Sequence, residues 1–132
     1  MDLIKVTPDK ERVKKILEMV KLIEERIKIQ DKHKFASLII LDYYEVIKEL
    51  ITALLLAEGY KTLSHKNLIS YLKIKYKEIN SYESELIDKL RIFRNRISYE
   101  GFEIQDDYLK INEKSYMQII KKLKVLVKTK VS

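Results

Sequence analysis

The sequence predicts an all-α fold, an up-and-down helical bundle of about five helices around a four-helix core, with residues 1–132 forming a single domain. Three observations carry this. Two glycines and one proline in 132 residues leave few places for the turns of a sheet. Lys, Glu, Leu and Ile, most of them good helix formers, dominate the composition. Apolar residues recur at spacings of three and four along most of the chain. With 46% apolar and 36% charged residues, the length suits one compact domain with a real core.

Thr7 followed by Pro8 reads as an N-cap with proline at the first helical position, and Val13, Ile16, Leu17, Val20, Ile23 and Ile27 follow at helical spacing. A first helix is expected over 8–30. A second, the most hydrophobic, is expected to start near Lys32 with Phe35, Leu38, Ile39, Tyr43, Val46, Ile47, Leu50, Ile51, Leu54 and Leu55 inward. Gly59 suits its left-handed C-cap. Ser64 caps a third helix carrying Leu68, Ile69, Leu72 and Tyr76. Ser81 caps a fourth with Leu86, Leu90, Phe93 and Ile97 on one stripe, ending before Gly101. The stretch 102–111 has a polar centre and predicts a loop, after which Asn112 caps a last helix with Tyr116, Ile119, Ile120, Leu123, Leu126 and Val127 apolar.

The absence of cysteine excludes disulfides and thiolate metal sites, and two histidines, His33 and His65, are too few to hold zinc alone. No metal and no cofactor are expected. The start MDLIKVTPDKER lacks the apolar core of a signal peptide. The stretches SLIIL and ITALLLA are separated by Asp42, Glu45, Lys48 and Glu49, so a cytoplasmic protein without membrane contact is expected. The net charge of +7 is uneven: residues 1–60 carry 11 basic and 11 acidic groups, residues 61–132 carry 16 and 9. Such an excess suits a polyanionic partner, and equally a solvated lysine face that keeps the protein soluble.

Chemistry concentrates in the segment RIFRNRISYEG. At the helical pitch Arg91, Arg94, Asn95 and Ser98 share one polar strip, Arg96 points away, and Tyr99 stacks one turn beyond Asn95. A guanidinium, an amide and a phenol could there meet one anion, because arginine binds phosphate oxygens bidentately and keeps its charge. The alternative is that the arginines pair with carboxylates of a neighbouring helix. Tyr43 and Tyr44 admit the same two readings, lining a cleft or filling the bundle with the hydroxyl at its rim. Glu45 and Lys48 form a surface pair of little energetic weight.

Three segments in order resemble the HEPN family of small helical-bundle domains: ILDYYEVIKELITALLLAEGYKTLSHKNLISYL, KLRIFRNRISYEG and the closing amphipathic helix. The family signature is an arginine, usually followed by asparagine, with a histidine farther along the helix. Arg94 and Asn95 match it, and Tyr99 stands where the histidine belongs. The resemblance implies that active members are metal-independent ribonucleases in which the arginine stabilises the pentacoordinate phosphate and the histidine moves the proton. A phenol with an ordinary pKa of ~10 is a poor base at neutral pH. His65 is expected to support the turn into helix 3, and His33 to be solvated.

The resemblance further implies a homodimer through helices 2 and 4, with Arg94, Asn95 and Tyr99 of both subunits lining one cleft. It also implies a minimal nucleotidyltransferase as partner, in a toxin–antitoxin pair or as accessory, with Tyr99 a candidate acceptor of modification. The expected function is therefore nucleotide or RNA-phosphate binding without catalysis. A metal-independent ribonuclease toxin using Arg94 with Tyr99 or a distant base as catalytic groups, and a structural dimerisation module without ligand, are the alternatives.

Overall fold

The computed structural model describes residues 3–131, which form an all-α bundle of five helices: α1 (Lys10–Ile29), α2 (Ala36–Glu58), α3 (His65–Lys75), α4 (Ser81–Glu100) and α5 (Asp106–Val131). Side-chain links fix their directions. Arg26 and Gln30 at the end of α1 bond Asp42 near the start of α2, so these two run antiparallel. Lys124 on α5 reaches Glu24 on α1, and Lys32 just beyond α1 reaches Glu113, so α5 also opposes α1. α4 starts beside Lys122 of α5 through Glu83 and ends where Ile104 N–H donates to Ser37 of α2, so it opposes α2. The result is an up-and-down core of α1, α2, α4 and α5, with α3 laid along it.

α2 is the central helix, contacting each of the other four and β2. Its buried residues include Ile39, Ile47, Leu50, Leu54 and Leu55, while the expected inward Leu38 is about half exposed. A short antiparallel pair, β1 (Ile4–Lys5) with β2 (Tyr60–Lys61), ties the chain start to the α2–α3 connection, an element the sequence pattern did not suggest.

Four boundaries differ from expectation, each for a local reason. Asp9, not Thr7, caps α1, its carboxylate accepting from Arg12 N–H at 3.0 Å. Residues 32–35 form a turn organised by Asp31, which accepts from the backbone of His33 and Lys34, so α2 starts at Ala36. Asn80, not Ser81, caps α4 in a reciprocal capping box with Glu83. α5 begins at Asp106, six residues before Asn112. Asp106 and Asp107 place two acids at its positive end, and Asn112 lies inside the helix, donating to the Tyr108 carbonyl.

Both glycines end helices in the left-handed region, as expected for Gly59. At Gly59 (φ 87°) a Cβ would also lie 2.9 Å from the Val6 carbonyl, whose N–H donates back to Gly59 O. Gly59→Ala is expected to cost about 2 kcal/mol or more, read as a lowered urea midpoint, since left-handed strain and a backbone clash coincide.

Candidate functional site

α4 keeps its apolar stripe on α2 through Leu86 and Leu90, with Phe93 and Ile97 partly covered. The adjoining strip therefore faces outward along its edge. Arg94 on this strip is partly buried. Its Nη1 donates to Asn95 Oδ1 at 3.2 Å, and its guanidinium lies 5.9 Å from the Tyr99 ring centre. No carboxylate pairs with Arg94 among the described residues. Arg91 is engaged one turn back, Nε donating to Asp88 at 2.9 Å. Asn95 is half-buried, Ser98 is exposed, and the Tyr99 ring is 77% exposed. Arg96 turns away and covers Phe102, 3.9 Å from its ring centre.

Tyr43 and Tyr44 diverge from α2 and are both buried. The Tyr43 ring packs against Tyr116 and its hydroxyl donates to Glu113 at 2.6 Å, on the side of α5 rather than of α4. Burial, with the neighbouring carboxylate of Glu113, pushes its phenol well above the ordinary range. Tyr44 turns to the other side, its hydroxyl 3.0 Å from Nδ1 of His65 with the two rings 5.8 Å apart. Ser64 caps α3 through the Asn67 N–H, and this cap delivers the imidazole of His65 to Tyr44.

The Tyr44–His65 pair extends the site beyond α4. Burial lowers the His65 pKa, with the cations of Lys48, Arg94 and Arg91 acting in the same direction and Glu45 opposing. Burial also pushes Tyr44 up to about 12, against the pull of Arg91 and Arg94. Both groups thus sit in the field of the two arginines, and the imidazole is neutral near pH 7. The arrangement offers one unpaired guanidinium, a second with Nε alone engaged, an exposed phenol and a neutral imidazole. Together they can hold an anion and exchange a proton beside it. Each half of the pair was visible in the sequence, but the bond spans 21 positions and follows no period.

The depressed pKa of His65 has a measurable sign. The unfolded chain takes the proton more readily, so this stabilisation is present above the ordinary value of 6.5 and is lost as the pH falls through the lower folded value. His33 acts in the opposite sense. Exposed but 2.7 Å from Asp106, it has a raised pKa from that hydrogen bond and charge, and its contribution fades as the pH rises through the raised value. Urea unfolding between about pH 7 and pH 5 should therefore show a stability loss in the His33→Ala variant that His65→Phe flattens.

Among the described residues no group of His, Asp and Glu is arranged to hold a metal ion, and no helix is long and apolar enough to cross a membrane. The chain matches no protein-family model, no curated protein and no solved structure.

Proposed function

We propose that this chain is a HEPN-like homodimeric domain that binds the phosphate of a nucleotide or RNA through Arg94, Asn95 and Tyr99, with Arg91 and Ser98 beside them, in the service of a minimal nucleotidyltransferase. The observation that carries this reading is the partly buried Arg94 guanidinium, oriented by Asn95 and met by no carboxylate. A partly shielded guanidinium with no carboxylate beside it is open to an anion, and its place beside an amide and a phenol fits phosphate oxygens. This counts against a purely structural module, in which both arginines would be tied up in ion pairs. Exposed Leu38 on α2 and Ile92 on α4 give a second copy apolar surface to cover.

The test is titration of the intact protein with ATP and with a short single-stranded RNA. Arg94→Ala should weaken binding roughly 10- to 100-fold, the loss of a charge-assisted bidentate contact, with an unchanged thermal melt. Unchanged affinity in that variant would refute the assignment, and a lowered melt without any ligand affinity in the parent would favour the structural module. Sedimentation of the parent reads the dimer directly.

A ribonuclease reading draws its support from His65. A neutral imidazole in the field of Arg91 and Arg94 could take the proton that Tyr99 is poorly suited to accept. It predicts RNA cleavage in chelator that is lost in both Arg94→Ala and His65→Ala, whereas pure binding predicts that intact RNA is recovered.

A further inference from the structure

On the α1–α5 side of α2 lies a concavity of about 640 Å³ that the site on α4 does not use. Its floor is Ile27, Tyr43 and Ile120, with Met117 on one wall. Two ion pairs link its α1 and α5 sides, Lys32 with Glu113 at 2.7 Å and Lys124 with Glu24 at 2.5 Å. Around its mouth stand Lys28, Lys114 and Lys121, none with an ion-pair partner among the described residues.

We propose that this compartment binds a soluble single-chain amphiphilic anion, an aliphatic chain ending in a carboxylate or phosphate. The volume is that of a small-molecule site. The floor is apolar apart from the Tyr43 hydroxyl, which donates to Glu113, and the amide of Gln118 stands at an exposed lining position. Aliphatic floor residues and the methylene stems of the lysines accept a hydrocarbon chain, and the three unpaired ammonium groups supply the charge that its head requires. The buried floor of Ile27, Tyr43 and Ile120 is small for the long apolar face of a partner helix, and the lysines beside it call for a charged end. A nucleic-acid strand would leave the apolar floor uncovered.

The experiment is calorimetric titration of the full chain with laurate and with dodecyl phosphate, each kept below its micellar concentration. One saturable site is expected, weakened about tenfold or more in the exposed double variant Lys28→Glu/Lys121→Glu, which removes two charge-assisted contacts. Arg94→Ala should leave it unchanged, so failure here and failure of the phosphate site on α4 are told apart. Met117→Asp, on an exposed wall position, should weaken chain binding while sparing the fold. The proposal is overturned if neither probe saturates, if the charge reversals leave the affinity unaltered, or if only anionic vesicles or an acidic helical peptide bind.

Discussion

Glu58→Ala is expected to lower the unfolding free energy by about 3–5 kcal/mol, among the largest effects of any single change to a charged residue in this chain. Glu58 ends α2 with its carboxylate nearly covered. It accepts hydrogen bonds from the hydroxyls of Tyr71 and Tyr76, and ion pairs from Lys75 at 3.2 Å and Lys130 at 3.3 Å. One carboxylate thereby gathers the ends of α2, α3 and α5. Burial by itself would raise its pKa, but the bonds from Tyr71, Tyr76 and Lys75 prevail and hold it below the ordinary 4.5. Truncation strands two buried phenols, whose own pKa values burial and Glu58 raise, and leaves two lysines facing each other. Denaturant unfolding at neutral pH measures the loss, and Glu58→Gln, which keeps an acceptor, should recover part of it. Because the folded pKa is depressed, the same stabilisation is present above pH 4.5 and drains away as acid titrates the group through its lower folded value. A Glu58→Ala protein as stable as the parent would show the cluster to be energetically idle.

Leu54→Ala is expected to cost about 2–5 kcal/mol by opening a cavity where α2 meets its neighbours. Leu54 has no solvent exposure and sits in the same buried cluster as Leu50, Leu90, Leu123 and Val127. Shrinkage of such a site is opposed by helices already packed on several sides of α2, so little of the void can be recovered by relaxation. Leu38→Ala, on the half-exposed position of the same helix, supplies the contrast and should change stability by less than about 1 kcal/mol. That small effect is expected of the separated chain; at concentrations where the proposed dimer forms, a second copy covering Leu38 should enlarge the loss.

The helical period read most of the fold because it is a one-dimensional signal. Val13, Val20, Ile23 and Ile27 on α1, and Leu68, Ile69 and Leu72 on α3, are inside as their spacing requires. The glycine caps were equally legible, since Gly59 and Gly101 are the chain's two glycines and both take the left-handed conformation. Helix starts were read less well. Thr7, Ser81 and Asn112 are all acceptable caps, and the choice of Asp9, Asn80 and a start at Asp106 depends on which neighbour competes for the same backbone amides. Asp106 and Asp107 looked like loop residues for the same reason that they suit a first helical turn.

The α4 strip was visible as a pattern, whereas its electrostatic state was not. That Arg91 has Asp88 while Arg94 has only an amide depends on what the neighbouring helices bring within reach. Sequence gave His65 a supporting part at the start of α3, with no hint of Tyr44 as its partner. Glu58, now the most connected carboxylate in the bundle, gave no local sign at all, because Tyr71, Tyr76, Lys75 and Lys130 reach it from two other helices.

Because α2 supplies a face to every other helix, no division of the described bundle into halves avoids breaking contacts with it. Slow amide exchange should be shared by α2 and the inner faces of α1, α4 and α5 at one common opening free energy, with the β1–β2 ribbon fraying separately. Apart from that ribbon, a protease would meet either the intact bundle or an unfolded one. Selection or engineering that loosens the buried face of α4, at Leu86, Ile87 or Leu90, therefore acts on the lifetime of the entire molecule.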